Sequence, residues 1–393
     1  MKDNIFASVE FGSYTIKLLI SEFVEEKQNI LFIDEIRSTG IKAGLIVHKN
    51  EVVRDLRNLI EKAEDFLNAK IKSVVVLLPS IEVETKEVSY DLMISENCVK
   101  GKHIKDLFNR IYTEEGDNFK DKEIAFIYPN RFLTSKSRRT LVNPIGETTR
   151  DLFANLEIYY EDKKTMIDYV AVIDACGLDV LDIMPNVVAY KNSLLSREEM
   201  NNYACVIDIG DETTTISIFH NNLLERSVCF KIGANIVTKG IEKSFELRYQ
   251  DAIEFKEIHG KCVSKDASDE IVFEQHFKDG SITYITSKFV SKIIDEKYLE
   301  IIRVIRQYLL EIGLKAKISQ YVLVGGAVEM DHFETLFKHN FGDNVSIRRP
   351  DFIGARHPKY STIISSHYNI YYLQSLFSTE YQMISFNRNN DEN

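Results

Sequence analysis

Two stretches carry the residue types that could handle a phosphate. Val9-Glu10-Phe11-Gly12-Ser13-Tyr14-Thr15-Ile16-Lys17 lies near the start, and Ile207-Asp208-Ile209-Gly210-Asp211-Glu212-Thr213-Thr214-Thr215-Ile216 lies about half the chain later. Each reads as strand, acid, apolar residue, glycine, polar turn and second strand. Glycine at such a turn lets backbone N–H groups converge on phosphate oxygens, because no Cβ blocks the approach. A carboxylate just before the turn, Glu10 or Asp208, can hold Mg²⁺ through its waters. One copy is an ordinary β-hairpin. Two copies at half-chain spacing point to phosphate binding by a duplicated fold.

Two further pieces extend this set. Val324-Gly325-Gly326-Ala327 closes a buried strand, and a Gly-Gly pair there lets a base lie against bare backbone. Ile232-Gly233-Ala234-Asn235 is a weaker glycine loop that could touch the far phosphates. Two such halves facing each other across a cleft would make a nucleotide site.

The elements that must position these residues alternate between strand and helix. Leu56, Leu59, Ile60, Ala63, Phe66 and Leu67 repeat at helical spacing, and Val74–Leu78 is a continuous apolar run stopped by Pro79. Such a run suits a strand covered on both faces. From about 81 to 160 the character changes, with more charge, short strand-like pieces and one helix carrying Ile104, Leu107, Phe108 and Ile111. That stretch reads as an inserted subdomain. Buried strands return at Ala204–Ile207 and Tyr321–Val324, the second fed by a long helix from Ile293 to Ile312. The fold class is α/β.

Composition bounds the functions. With 393 residues, 44% hydrophobic and 28% charged, the chain can bury sizeable cores in two or three domains. A formal charge of −11 argues against nucleic acid as the main partner. Five dispersed cysteines without a C-x-x-C pair read as reduced thiols and not as a zinc site. No secretory leader and no run of about 18 apolar residues is visible. No Ser/His/Asp or Cys/His catalytic set can be argued.

In this order and spacing, the motifs resemble the actin/Hsp70/sugar-kinase superfamily, and more finely FtsA, the actin-like bacterial cell-division family. The resemblance covers nearly the whole chain. It includes Gly40-Ile41-Lys42-Ala43-Gly44-Leu45-Ile46-Val47, Asn143-Pro144-Ile145-Gly146, Asp251-Ala252 through Lys256 with His259-Gly260, Ile293-Ile294-Asp295-Glu296-Lys297, and Pro358-Lys359-Tyr360-Ser361-Thr362. It implies an actin-like (ribonuclease H-like) duplicated fold, with two lobes around a nucleotide cleft and an FtsA-type inserted subdomain. The first lobe core would be 1–82 with 163–200 and 363–393, and the insertion 83–162. The second lobe core would be 201–230 with 301–362, and its small partner-docking subdomain 231–300.

The implied cofactor is ATP with Mg²⁺. Gly12, Ser13, Tyr14, Lys17, Asp208, Gly210, Thr213, Thr214, Gly233, Asn235, Lys256, Gly325, Gly326 and Ala327 would contact the nucleotide, and Glu10 and Asp208 the metal. The implied role is non-enzymatic, at most a weak ATPase. The protein would be an adaptor that forms filaments and recruits the tubulin-like ring protein FtsZ to the inner face of the cell membrane. The acidic, partly apolar tail of FtsZ would dock near Lys288, Lys292 and Lys297.

Several residues depart from this pattern. Asp211 and Glu212 stand where a DIGGGT turn has glycines, Thr215 replaces an acid, and Ile253 stands where a Glu is expected before Lys256. The expectation is a weakened nucleotide site. The C-terminal stretch 378–393 carries Tyr381, Met383, Ile384 and Phe386 but one base, Arg388, and ends in Asp391 and Glu392. It does not read as a basic amphipathic membrane helix, so membrane contact would be indirect or weak. A PilM-like protein, which binds a short peptide of a pilus-assembly membrane protein, is the alternative. A sugar or acetate kinase ranks last, because it needs intact phosphate glycines.

Overall fold

The computed structural model describes residues 4–135, 140–191, 193–276, 280–378 and 383–386. The chain divides into two units, one of residues 1–197, 222–228 and 362–393, the other of 198–221 and 229–361.

The first unit opens with three antiparallel strands, β1 (Ile5–Phe11), β2 (Thr15–Val24) and β3 (Lys27–Arg37). A two-rung hairpin, β4 (Ile41–Lys42) and β5 (Leu45–Ile46), precedes α1 (Lys49–Leu67). Val52, Leu56, Leu59, Ile60 and Ala63 form the buried stripe of α1, and Asn68 ends it in the left-handed conformation at φ 47°. After β6 (Ala69–Ile71) comes β7 (Ser73–Leu78), which lies parallel to β1 with Val74–Leu78 wholly buried. An apolar run without polar alternation therefore marks a strand covered on both faces.

The stretch expected as the insertion then forms β8 (Glu84–Met93), α2 (Gly101–Glu115), β9 (Lys122–Leu133) and β10 (Asp151–Asp162). Its strands form an antiparallel sheet in the order β8-β10-β9. Ile104, Leu107, Phe108 and Ile111 form the buried stripe of α2. The return is sharp, because the Asp162 carboxylate accepts the Thr165 N–H at 2.7 Å and so caps α3 (Lys163–Ala175). Next, β11 (Asp179–Pro185) pairs parallel with β7, and the main sheet runs β11-β7-β1-β2-β3. The short α4 (Asn186–Ala189) and α5 (Arg197–Asn201) lead onward.

The second unit repeats the first. Its sheet contains β12 (Tyr203–Ile209), β13 (Thr214–His220) and β14 (Leu223–Phe230), whose residues 223–228 are grouped with the first unit. A small subdomain follows, with α6 (Asn235–Phe245), α7 (Tyr249–His259), the hairpin β15 (Ile271–His276) and β16 (Ile282–Thr286), and the long α8 (Ser287–Glu311). Then come β17 (Ile318–Val324), α9 (Phe333–Phe341) and β18 (Val345–Ile347). The sheet order, read from its far edge, is β18-β17-β12-β13-β14, which matches β11-β7-β1-β2-β3 strand for strand. In both sheets a central strand pairs antiparallel with the second arm of its own hairpin and parallel with a later buried strand. This is the duplication that the two acid–x–Gly turns announced.

The closing helix α10 (Ser361–Phe377) returns to the first unit. Buried His367 bridges the Ser21 and Ser8 hydroxyls at 2.6 and 2.9 Å. On the insertion side, the Tyr372 hydroxyl donates to the Pro129 and Val142 carbonyls, and Phe108 packs edge-on against Phe377. Finally β19 (Ile384–Phe386) pairs antiparallel with β6, and Met383 and Ile384 are buried. Two of the four apolar residues in the 378–393 stretch thus serve the fold and not a surface. Tyr381, Arg388, Asp391 and Glu392 lie outside the described residues.

Candidate nucleotide site

In the first unit, β1 delivers Glu10 and the turn Gly12–Thr15 follows. The Gly12 N–H closes the turn on the Thr15 carbonyl at 3.0 Å, and a Cβ at Gly12 would stand 2.8 Å from that oxygen. Only glycine fits there. Lys17 faces Glu10 across the hairpin, and its Nζ lies 2.7 Å from Glu10 Oε1 in a largely buried pair. The acid proposed for Mg²⁺ therefore already has a built-in counterion. The Ser13 hydroxyl accepts the Gly44 N–H at 3.2 Å, and the Tyr169 hydroxyl donates to the Gly44 carbonyl at 2.8 Å. The Gly40–Val47 segment thus braces the turn. Arg37 was not singled out in the sequence, yet its guanidinium stacks 3.8 Å over the Tyr14 ring. Its signal would have been a cation at the end of the strand beside the turn.

The second unit builds the matching turn. The Gly210 N–H closes on the Thr213 carbonyl at 2.9 Å, and Asp208 stands opposite Thr215, where the first unit has Lys17 opposite Glu10. The Gly233 loop packs directly beneath the turn, where a Cβ on Gly233 would lie 2.5 Å from the Asp211 carbonyl oxygen. The Ala234 and Asn235 N–H groups donate to the Gly210 and Asp211 carbonyls at 2.9 and 2.8 Å, and the Thr214 hydroxyl donates to the Ile232 carbonyl at 2.8 Å. Gly233 and Asn235 thus support the turn from below.

Gly325 ends β17 at φ +100°, and a Cβ there would stand 2.5 Å from Asp208 Oδ1 and 2.5 Å from the Ile209 carbonyl oxygen. The glycine pair and the acid therefore share one corner. Lys359 comes near Gly326, a neighbour that the closing motif contained without assigning it a role. Lys256 is buried on α7, with its Nζ 3.2 Å from the Thr238 hydroxyl. Burial pushes its ammonium below the usual range, while the Glu257 and Asp211 carboxylates pull it back up. Cys229 adds a thiol beside the turn, pushed up by burial and opposed by the Thr215 and Thr213 hydroxyls.

The glycine corner presents bare backbone at Gly326, where an added Cβ would meet only the Lys359 Cβ at 4.0 Å, whereas the turn after Gly210 carries Asp211 and Glu212. Among the described residues no three His, Cys, Asp or Glu side chains gather as a metal-ion cluster.

The three candidate docking lysines do not share a face. Lys288 and Lys292 are four residues apart on α8 and both are exposed. Lys297 is nine residues from Lys288, about half a turn around the helix. It pairs with Glu300 at 2.7 Å and packs along Gly240. Phe289, half exposed between the first two lysines, rests edge-on against Phe245.

Comparisons with known proteins agree with this anatomy. The family model for the cell division protein FtsA matches residues 205–365. The Staphylococcus epidermidis cell division protein FtsA is 25% identical over 369 residues, which cover 93% of this chain and 79% of that protein. The Bacillus subtilis cell division protein FtsA is 22% identical over 362 residues, covering 92% and 82%. Among solved structures, the PilM-PilN type IV pilus biogenesis complex aligns with a TM-score of 0.62 at 13% identity, covering 94% of this chain and 98% of that one. MreB5 of Spiroplasma citri bound to ADP gives 0.56 at 12% identity, covering 96% and 99%. The structural likenesses establish an actin-like, two-lobed α/β fold, and the sequence likenesses run nearly end to end. This chain is similar to the cell division protein FtsA over nearly its whole length.

Proposed function

We propose that the protein is a cell-division adaptor that binds a nucleotide, assembles with copies of itself, and links the FtsZ ring to the membrane or to other division proteins. The observation that carries this reading is the surface of the small subdomain, residues 231–300. Ile258, Ile271, Ile282, Tyr284 and Phe289 are large apolar side chains left exposed there, beside Lys288 and Lys292. A concentration of exposed apolar side chains with basic neighbours suits an acidic, partly apolar peptide. On this reading, Lys288, Lys292 and Phe289 make the contact, and Lys297 is a rim residue held by Glu300.

The nucleotide is ATP with Mg²⁺, bound with reduced affinity, and its role is to bias assembly, with at most weak hydrolysis. Among the described residues no helix is long and apolar enough to cross a membrane. We place the protein at the inner face of the cell membrane at the division site, held there through partners.

The test is titration of a fluorescent FtsZ C-terminal peptide into the full chain. Saturable binding should weaken at least tenfold in Lys292→Glu and in Phe289→Ala, about 1.4 kcal/mol, and change less in Lys297→Glu. Absence of saturable binding would overturn the adaptor reading.

A second reading, a PilM-like peptide binder, has one observation in its favour. A groove of about 330 Å³ in the first unit is lined by Phe108, Tyr112, Phe126, Leu373 and Phe377, with Lys105 and Asp182 among the polar side chains. Binding of a short peptide from a pilus-assembly membrane protein, lost in Phe108→Asp, would favour that reading over the first.

A further inference from the structure

Strand register sets Arg37 beside the first turn. Glu10, Lys17 and Glu35 stand opposite one another across β1, β2 and β3, and the next row towards the turn pairs Thr15 with Arg37. Opposed residues project to one face of a sheet, and residues two apart along a strand share that face. Arg37 therefore lies on the face that carries Glu10 and Lys17, one row nearer the turn. Its backbone is tied there as well, because the Ser38 N–H donates to the Tyr14 carbonyl at 2.9 Å.

The two cations of this face are not equivalent. Lys17 is largely buried, and its charge is spent on Glu10 at 2.7 Å. Glu35, the acid on the same face of β3, accepts the Thr15 hydroxyl at 3.1 Å. Arg37 is exposed, and among the described residues no carboxylate pairs with it. Its side chain is held instead by the Tyr14 ring, whose centre lies 3.8 Å from the guanidinium carbon. A guanidinium laid on an aromatic face is fixed in place and keeps its N–H edge for an oxyanion. The Ser13 N–H, one residue before Tyr14, also meets no acceptor among the described residues. The turn thus offers two kinds of donor, one of them charged, that the chain itself leaves unused.

We propose that Arg37 is the phosphate-binding cation of the first turn, donating its N–H edge to a phosphate oxygen of the ligand beside the Ser13 N–H. Tyr14 is the positioning residue that holds the guanidinium, and Lys17 sets the Glu10 carboxylate. The assignment rests on the nucleotide reading given above and adds to it a residue from outside both turns. An Arg–phosphate contact is charge-assisted and bidentate, so its removal should weaken a phosphate ligand at least tenfold and leave a bare nucleoside untouched.

The experiment is calorimetric titration of the full chain with ATP, adenosine and pyrophosphate in the presence of Mg²⁺. It is repeated on Arg37→Gln, Arg37→Lys and Tyr14→Leu, each first checked for an unchanged melting temperature. Arg37→Gln should weaken ATP and pyrophosphate at least tenfold with adenosine unchanged. Arg37→Lys should recover only part of that loss, because an ammonium lacks the planar fork. Tyr14→Leu should weaken the same two ligands by a smaller factor. ATP binding as tightly to Arg37→Gln as to the unmodified chain, or an equal loss of ATP and adenosine, would overturn the assignment and leave the nucleotide reading standing. Pyrophosphate binding that depends on Arg37, in a chain that takes up neither ATP nor adenosine, would uphold the oxyanion contact and overturn the nucleotide reading. If none of the three ligands binds the unmodified chain, both fall together.

Discussion

At the scale of single residues, two buried titratable groups in the first unit pull stability in opposite directions. Glu161 sits at the end of β10, where the chain re-enters the core from the insertion, and one of its oxygens is buried without a hydrogen-bond partner. Burial raises its pKa from the ordinary 4.5 to about 8, against the pull of Lys122 and the Asp162 N–H and with the push of Asp162 and Glu82. Between those values the unfolded chain releases a proton that the folded chain keeps, so stability falls as pH rises through that window. His367 does the reverse. Burial lowers it from 6.5 to about 3, so stability falls as pH drops from 6.5 towards 3. Each slope is at most about 1.4 kcal/mol per pH unit. Urea unfolding followed across pH should show these slopes, flattened above pH 6.5 in Glu161→Gln and below pH 4.5 in His367→Phe. An alkaline slope unchanged in Glu161→Gln would show that this carboxyl is ionised in the folded state.

At the scale of elements, the glycine corner shows what the sequence could and could not convey. Gly325-Gly326 at the end of an apolar run is legible as a strand end open to a ligand, because it needs only local arguments. The reason Gly325 must be glycine is not local, since Asp208 and Ile209 arrive from a strand more than a hundred residues earlier. Gly325→Ala should therefore destabilise by about 1–3 kcal/mol from backbone strain, before any cost of displacing Asp208. Thermal unfolding would read this, and an unchanged melting temperature would show that the corner relaxes freely. The same limit hid Arg37 and Lys359. Their positions beside Tyr14 and Gly326 depend on sheet pairing and on a late loop, neither of which hydrophobic spacing specifies. Lys297 shows the same limit on a helix. The resemblance names Lys288, Lys292 and Lys297 together, and helical geometry sets Lys297 about half a turn away from Lys288.

For the molecule as a whole, the duplicated sheets were readable from two turns with similar chemistry, and the change in composition after about residue 81 coincides with the separate sheet β8-β10-β9. What ties the insertion down was not readable, because it is a contact among residues scattered over three segments. Lys191, only 1% exposed, pairs with Glu157 of β10, 2% exposed, and donates to the Asn130 side chain. The Tyr128 ring lies 4.4 Å from its ammonium. Glu157 also accepts the Leu224 N–H at 2.8 Å and the Tyr159 hydroxyl at 2.6 Å. Lys191→Met leaves that carboxylate buried without its cation and should cost about 3–5 kcal/mol. Lys191→Met/Glu157→Gln should recover much of the loss. Denaturant midpoints of the two variants check this, and equal losses in both would show that the charge is solvated.

The way α10 is held also has a mechanical side. On one flank it is fastened to the core sheet through His367, on the other to the insertion through Tyr372 and Phe377, and beyond it β19 is laced to β6 by a ladder of three residues. These attachments lie in series along the chain. A pull arriving from the C-terminal side meets the short β19–β6 ladder first and the clasped helix only after that ladder has opened. The ladder thus acts as a fuse, yielding under small loads while the helix behind it keeps core and insertion together.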